Sequence, residues 1–300
     1  MGLSLLITGS SGFVGKNLQD YLSRNSNYYE IENYNRFIPN NGKIKNDAVI
    51  HLAGKAHDLK KVSNPQDYYE ANFELTKQLY NDFLLSDAKI FIFISTVKAV
   101  ADEIKGILRE DEIPNPKTHY GISKHLAEKY ILSHEIPNGK RVYILRPCMI
   151  NGPENKGNLN LLYQLVSRDL PWPLGAFENQ RSFLSIENLC FVIKELLENA
   201  SVPSGVYQVA DDETLSTNEL IQLLGKSLKK NTKIWNTNVS FVKFLASVGD
   251  KIHLPLNTER LQKLTENYVV SNDKIVKVLG KPLPIKIREG LLKTFESFRK

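Results

Sequence analysis

The feature that most constrains the fold is a glycine-rich turn between an apolar run and an amphipathic segment near the N-terminus. Residues 3–8, LSLLIT, predict a buried strand, and residues 14–24 have apolar side chains at helical spacing. Between them, Gly9, Gly12 and Gly15 form a G-x-x-G-x-x-G pattern. Glycines at such a turn let the backbone approach a pyrophosphate, whose charge the helix N-terminus stabilises. An empty glycine turn is the alternative, but the strand–turn–helix context favours a dinucleotide site.

Strand and helix patterns alternate through the first half of the chain. Further strands are predicted at 28–34, 47–53, 89–95 and 141–147, with helices at 68–85 and 120–134. Fully apolar strands alternating with helices are typical of a parallel sheet covered on both faces. We therefore predict an α/β fold, a Rossmann-type doubly wound parallel sheet with a smaller C-terminal substrate-binding domain.

The composition changes after Pro153, where loops rich in Pro and Gly begin. We predict an NAD(P)-binding domain over residues 1–153 and a substrate domain over 154–300. The apolar segments at 182–200 predict that the chain returns to the first domain there.

Charge and composition exclude several classes of protein. The 42% hydrophobic content argues against disorder, and the net charge of +6 with scattered basic residues suits an anionic ligand better than nucleic acid. No apolar run is long enough for a membrane span, and no secretory leader is recognisable, so we expect a cytoplasmic protein without stable membrane insertion. Two cysteines and six histidines lack metal-ligand spacing, which predicts no metal site.

The residues after the second predicted strand bear on the choice of dinucleotide. An acidic side chain at that strand end would bind the ribose hydroxyls of NAD, whereas an arginine would accept the extra phosphate of NADP. The strand ends in Asn35-Arg36, and Glu30 and Glu32 lie inside it. This pattern favours NADP(H) over NAD.

A tyrosine and a lysine open the helix predicted at residues 120–134. Tyr120 and Lys124 are four residues apart and share one helix face. A free tyrosine has a pKa of about 10, and a nearby ammonium should lower it towards neutral pH, as carbonyl–alcohol interconversion requires. The preceding strand ends in Ser95-Thr96, whose hydroxyls would lie at the carboxyl edge of the sheet, where ligands bind. We expect these groups to converge with the glycine turn.

Nine sequence blocks, in order, resemble the extended short-chain dehydrogenase/reductase family of nucleotide-sugar epimerases, dehydratases and reductases. The blocks are TGSSGFVG, DAVIHLAG, NPQDYYEANFELT, IFISTV, HYGISKHLAE, ILRPCMINGP, GN, RSFLSIENL and DKIVKVLGKP, and they cover nearly the whole chain. The resemblance implies that Tyr120 is the acid-base residue, that Lys124 supports it and holds the nicotinamide ribose, and that Thr96 binds the reacting sugar oxygen. Asn72 occupies the position of a structural asparagine. The family also forms dimers through the helices at 68–85 and 120–134.

The resemblance also places the ligand contacts. The candidate cofactor-binding residues are Gly9, Ser11, Gly12, Phe13, Val14, Gly15, Arg36, Leu52, Ala53, Gly54, Tyr120, Lys124 and Pro147. The candidate substrate-binding residues are Thr96, Lys98, Asn158 and Arg181, with Asn158 and Arg181 at positions that hold the substrate's diphosphate.

Several blocks are similar to a subgroup, the bacterial reductases of UDP-2-acetamido-2,6-dideoxy-4-ketohexoses that supply surface polysaccharides. Lys98 is typical of that subgroup, although a solvated loop lysine is an equal alternative, and Asn151 replaces the family's usual tyrosine. The segment before the third strand, FIPNNGKIKN, is shorter than the segment that helps hold the adenine in the family. The resemblance favours reduction of a UDP-4-ketohexose at C4, with a UDP-hexose 4-epimerase as the alternative and a non-catalytic dinucleotide-binding sensor as a distant one.

Overall fold

The computed structural model describes residues 2–24, 28–34, 44–56, 64–155, 158–252 and 257–299. The strands are β1 (Leu3–Thr8), β2 (Tyr29–Asn33), β3 (Ala48–His51), β4 (Ile90–Ile94), β5 (Ile107–Leu108), β6 (Arg141–Pro147), β7 (Met149–Asn151), β8 (Arg181–Ser185), β9 (Gly205–Val209), β10 (Thr214–Leu215) and β11 (Val269–Val270). The α-helices are α1 (Phe13–Ser23), α2 (Pro65–Tyr69), α3 (Leu75–Leu85), α4 (His119–Leu132), α5 (Asn158–Ser167), α6 (Ile186–Glu198), α7 (Thr217–Leu228), α8 (Val239–Ile252), α9 (Thr258–Thr265), α10 (Asp273–Leu279) and α11 (Ile287–Ser297). Within these ranges no helix combines the length and apolarity that crossing a bilayer would need.

The main sheet has six parallel strands in the order β2-β1-β3-β4-β6-β9. β2 lies on one side of β1 and β3 on the other, so the strand order reverses at β1. In open α/β sheets such a reversal leaves a crevice at the carboxyl ends of the strands, where ligands bind. The predicted doubly wound fold is confirmed, and the sheet places its crevice beside the glycine turn.

Both faces of this sheet are covered. α1 and α6 pack on one face through residues such as Leu18 and Ile193, and α3 and α4 pack on the other through residues such as Phe83 and Ala127. Every residue of β4 is buried because successive side chains point to opposite faces and both faces are apolar. This two-sided burial explains why the strands appear in the sequence as continuous apolar runs.

A second core lies in the C-terminal half. β10, β8 and β7 form a three-stranded sheet that packs with α5, α7 and α11 around Trp172, Phe183 and Phe295. The chain then returns, because α6 packs on the main sheet and β9 forms its last strand. This path is compatible with domains at 1–153 and 154–300 with a return at 182–200, a division that stays a prediction.

The helix predicted at 68–85 is interrupted. α2 and α3 are separated by a π-helical turn, Glu70–Glu74, and α2 begins earlier than predicted, at Pro65, capped by the Asn64 side chain. A π turn inserts an extra residue into the helix and turns a side chain inward. Here that side chain belongs to Asn72, which is fully buried.

Candidate functional site

The glycine turn forms a close-fitting backbone cradle at the start of α1. Gly9 has a φ of +68°, and a Cβ there would lie 2.7 Å from the Ala53 nitrogen. A Cβ at Gly15 would lie 2.4 Å from the Gly9 carbonyl oxygen. α1 has no side-chain cap and no acidic residue in its first turn. A helix start that lacks these groups suits a bound anion, so this turn fits the pyrophosphate of a dinucleotide.

The segment after β3 forms the opposite wall of the cradle. The Leu52 nitrogen donates to the Thr8 carbonyl (3.3 Å), and the Ala53 nitrogen donates to the Thr8 hydroxyl (3.1 Å). A Cβ at Gly54 would lie 3.0 Å from Lys124 Nζ. A side chain at Gly54 would therefore displace the lysine, so the close approach of this wall to α4 requires glycine.

A buried hydrogen-bond relay braces this wall. The Thr8 hydroxyl accepts from the Ala53 nitrogen, so it can donate to His51 Nδ1 (2.7 Å). On the other side of the ring, the Thr76 hydroxyl donates to the Asn72 carbonyl (2.7 Å), so it can accept from His51 Nε2 (2.8 Å). This pattern of donors and acceptors requires a neutral His51 with its proton on Nε2. Burial lowers the pKa of His51 to about 3, with the charge of Lys124 as a second cause. Sequence reasoning missed this histidine.

His51 should make stability depend on pH. Its folded-state pKa lies below its ordinary value of 6.5, so the unfolded chain takes up a proton that the folded protein excludes. The stabilisation is complete above pH 6.5 and is lost as the pH falls. We expect the free energy of unfolding to lose about 2 kcal/mol between about pH 7 and pH 5 from this group.

Urea denaturation at the two pH values measures this loss. His51→Gln should remove about 2 kcal/mol of the pH-dependent part of the free energy of unfolding. An unchanged pH dependence in His51→Gln would contradict the neutral, buried role.

Asn72 links the cradle to the helix that holds the tyrosine. Its Oδ1 accepts from the Lys55 nitrogen (2.8 Å), and its Nδ2 donates to the Lys55 carbonyl (3.0 Å) and to the Ser123 hydroxyl (2.9 Å). Three bonds from one buried amide fix the segment after β3 against α4. The structural role predicted for Asn72 agrees with these contacts.

α4 approaches the end of β4 very closely. The Thr118 side chain caps the helix by accepting from the Gly121 nitrogen (3.2 Å), and a Cβ at Gly121 would lie 2.4 Å from the Lys98 carbonyl oxygen. Only glycine permits this approach. As a result, Tyr120 is hydrogen-bonded to the nearly buried Thr96 side chain.

Lys124 lies behind this pair, one helical turn along α4. Its Nζ donates to the Ile94 carbonyl (2.8 Å) and lies 4.6 Å from the Phe93 ring centroid. Burial lowers the pKa of Lys124 to about 8, an effect that the Glu128 carboxylate opposes. Because the ammonium bonds to a backbone carbonyl, it supports the end of β4 directly.

The pKa of Tyr120 differs from the expectation of a lowered value. Burial raises it above its ordinary value of 10.0, and the hydrogen bond from Thr96 offsets part of the rise. In the protein alone the phenol therefore keeps its proton at neutral pH. In this state the Tyr120 phenol can act as a proton donor.

Ser95, the other hydroxyl of the pair, has a structural partner. Its Oγ donates to Glu128 Oε1, and Glu128 receives Arg146 through Nε (3.0 and 3.1 Å) and Nη2 (2.6 Å). All three side chains are buried. Sequence reasoning missed Glu128, although its position four residues after Lys124 places it on the same helix face. The ion pair fixes α4 beneath the site.

The predicted substrate residues Lys98 and Arg181 lie in one cluster of charges. Lys98 Nζ donates to the Asp102 carbonyl (2.7 Å) and lies 4.1 Å from the Tyr268 ring centroid. Arg181 Nη1 donates to the Lys263 carbonyl, and its Nη2 lies 3.9 Å from Glu266 Oε1. Burial lowers the pKa of Lys98, and the Arg181 charge adds to that effect. Lys98 is therefore a partly buried side chain with aromatic and backbone partners, unlike a solvated loop lysine.

The structure places the other predicted contacts as follows. Four of them lie on the glycine turn and the start of α1: Ser11, Gly12, Phe13 and Val14. Pro147 is the last residue of β6, and Asn158 is the first residue of α5, although its side chain is not described. Arg36 lies outside the described residues. The turn and Pro147 thus share the carboxyl edge of the sheet.

Curated relatives of this chain include both epimerases and reductases. It is 29% identical to the UDP-glucose 4-epimerase of Vibrio cholerae over 99% of this chain and 96% of the relative. It is 28% identical to the GDP-6-deoxy-D-mannose reductase of Pseudomonas aeruginosa over 73% of this chain and 78% of the relative. Among solved structures, RMD from Pseudomonas aeruginosa complexed with NADPH matches with a TM-score of 0.75 at 23% identity, covering 98% of each chain.

The family comparison agrees with the geometry. The model of the NAD dependent epimerase/dehydratase family matches residues 5–210, which contain the glycine cradle, Thr96, Tyr120 and Lys124. This is the family that the nine sequence blocks predict, and its cofactor is a nicotinamide dinucleotide, NAD(P), for which the cradle has the required shape. The chain belongs to the NAD dependent epimerase/dehydratase family.

Proposed function

We propose that this protein is an NAD(P)H-dependent reductase that acts at C4 of a UDP-4-ketohexose during surface-polysaccharide synthesis. The observation that carries the proposal is the hydrogen-bonded pair of Thr96 and Tyr120, which has Lys124 behind it at the edge of the dinucleotide cradle. A proton donor, a hydroxyl that orients the substrate and a buried cation are the groups that reduction of a ketone requires. We place the reaction in the cytoplasm.

A dinucleotide held in the glycine cradle would supply the hydride that the sugar carbonyl carbon receives. The Tyr120 phenol donates its proton to the carbonyl oxygen as that oxygen gains charge. The Thr96 hydroxyl holds the same oxygen and fixes its position relative to the phenol. The Lys124 ammonium stabilises the phenolate that remains on Tyr120.

Reduction and the 4-epimerase alternative require Tyr120 in different protonation states at the first step. An epimerase must first remove the C4 hydroxyl proton, which requires a phenolate, whereas a reductase starts from the phenol. Burial raises the pKa of Tyr120 and keeps the phenol protonated at neutral pH. The alternative uses the same residues with a tightly held NAD.

Lys124 should set the alkaline limit of the reaction. Because its pKa is lowered to about 8, the ammonium is present below that pH and lost above it. We expect kcat for reduction to be level up to about pH 7.5 and then to fall roughly tenfold per pH unit above pH 8.

A pH–rate profile with saturating substrates measures this limit. Lys124→Arg keeps a charge at all these pH values, so the decline should move to higher pH even if kcat itself is lower. An alkaline limb at the same pH in both proteins would assign it to another group.

The choice between reductase and epimerase can be tested on purified protein. We expect protein free of tightly bound NAD, and NADPH oxidation only when a UDP-4-ketohexose is added. Two results together would reverse the assignment: co-purified NAD, and interconversion of UDP-N-acetylglucosamine and UDP-N-acetylgalactosamine without added cofactor.

We propose that NADP(H) is preferred over NAD through Arg36. Supporting this, the acidic residue near the end of β2, Glu32, accepts a hydrogen bond from Asn46 Nδ2 (3.2 Å). Arg36→Ala should raise the KM for NADPH about tenfold and leave that for NADH nearly unchanged, because a charge-assisted contact to phosphate contributes roughly 1.5–3 kcal/mol. Equal increases in the KM for NADPH and NADH would show that Arg36 does not select NADP(H).

We propose that Arg181 and Asn158 hold the substrate's diphosphate and that Lys98 also contacts the substrate. The Arg181 charge contributes to the lowered pKa of Lys98, so the two cations lie near each other, where an anionic group of the substrate would be attracted to both. We further propose a homodimer through α3 and α4, on which Leu85 and Leu132 are exposed.

A further inference from the structure

α8 has two apolar stripes, and the protein buries the one with the smaller residues. Val242, Ala246 and Gly249 face the second core or lie buried. Phe241 and Phe244 are 54% and 61% exposed. A surface helix normally turns its large apolar residues inward, so this orientation is the reverse of what packing alone would produce.

The exposed residues form a continuous stripe. Phe241, Phe244, Leu245 and Val248 follow the spacing i, i+3, i+4, i+7, which places them on one helix face. Leu245 is 41% exposed and Val248 is half-buried beside it. Trp235, four residues before α8, is also more than half exposed. Two phenylalanines, a leucine and a tryptophan in one exposed region indicate an interaction surface.

The charges around this stripe select the kind of partner. Residues 229–252 contain five lysines and a single acidic residue, Asp250, whose carboxylate accepts from Thr258 at the start of α9. Lys243 and Lys251 are exposed on α8 itself, and among the described residues no acidic side chain forms an ion pair with either. A second copy would bring like charges together across a symmetric contact, whereas an anionic surface would neutralise them.

We propose that α8 docks this protein on an anionic lipid surface. The Phe241, Phe244 and Leu245 side chains would enter the boundary between headgroups and acyl chains, with the helix lying in the plane of the surface. Lys251, at the edge of the stripe, would contact the lipid phosphates, and Lys243, farther round the helix, would add attraction at longer range. Apolar insertion and charge attraction together give the reversible binding typical of peripheral amphipathic helices. The attachment lies outside the catalytic groups and does not depend on the reaction assigned to them.

Vesicle sedimentation with the full chain tests this proposal. We expect the protein to bind vesicles of phosphatidylglycerol and phosphatidylcholine in equal parts, to bind pure phosphatidylcholine much less, and to be released by high salt. Phe241→Ser/Phe244→Ser should weaken binding at least about tenfold, because each inserted aromatic side chain contributes a large apolar area. Lys243→Glu/Lys251→Glu should weaken binding to the anionic vesicles alone.

Control variants test whether vesicle binding is specific to the exposed stripe of α8. Ile107→Ser/Ile113→Ser removes two exposed apolar residues elsewhere and should bind as the wild type does. Turnover in solution should be unchanged in the α8 variants, which verifies that they fold. The proposal is overturned if the wild type does not bind anionic vesicles or if the control pair loses binding equally. It is also overturned if Phe241→Ser/Phe244→Ser changes the oligomeric state in gel filtration while vesicle binding persists.

Discussion

Tyr120→Phe is expected to reduce turnover by a factor of about 10² to 10⁴ while leaving dinucleotide binding nearly intact. The substitution removes the hydroxyl that is hydrogen-bonded to Thr96, and with it the proton that reduction delivers to the sugar oxygen. The ring itself stays, half-buried beside Tyr68 at 6.5 Å between centroids, so the packing of α4 is preserved. The measurements are kcat with a UDP-4-ketohexose and the affinity for NADPH by fluorescence titration.

Tyr68→Phe is the matched control. It removes a phenolic hydroxyl from the neighbouring ring without removing a group assigned to proton transfer, so kcat should change less than about threefold. Thr96→Ala should fall between the two, since it removes an orienting bond and leaves the proton donor in place. If Tyr120→Phe retained wild-type turnover, the proposed acid-base chemistry would be wrong, whereas equal losses in both Phe variants would indicate a packing effect.

Local pattern determined which elements could be predicted from the sequence. β1 and β6 have the predicted bounds, and α1 and α4 begin within one residue of theirs. These elements combine apolar periodicity with a turn or cap encoded in adjacent residues, so short-range physics is enough to locate them. The position of Tyr120 at the start of α4 follows from the same signal.

Contacts between distant parts of the chain could not be predicted in this way. The relay through Thr8, His51 and Thr76 depends on strand pairing and on a helix packed across it, and the contact of Lys98 with Tyr268 joins residues 170 positions apart. The raised pKa of Tyr120 likewise follows from burial, which a four-residue spacing does not reveal. The sequence could propose the groups at the site, whereas the shifts in their pKa values depend on tertiary packing.

Glu128→Gln should be the most destabilising single change beneath the site. It leaves the Arg146 guanidinium buried without its counter-charge, and breaking a buried ion pair from one side costs about 3–5 kcal/mol. It should also shift the alkaline limb of the reduction to lower pH, because the Glu128 carboxylate is the group that raises the pKa of Lys124. Urea denaturation and the pH–rate profile measure the two effects separately.

Two control variants decide whether the lost Glu128 charge causes the loss of stability. Asp20→Asn breaks the ion pair with Arg24, but both side chains are exposed, so it should cost less than about 1 kcal/mol. Glu128→Met/Arg146→Met removes both buried charges and should recover most of the stability lost in Glu128→Gln, since apolar side chains of similar volume can replace a buried pair. If the double variant were as unstable as the single one, the Ser95 bond and the local packing, rather than the unpaired guanidinium, would account for the loss.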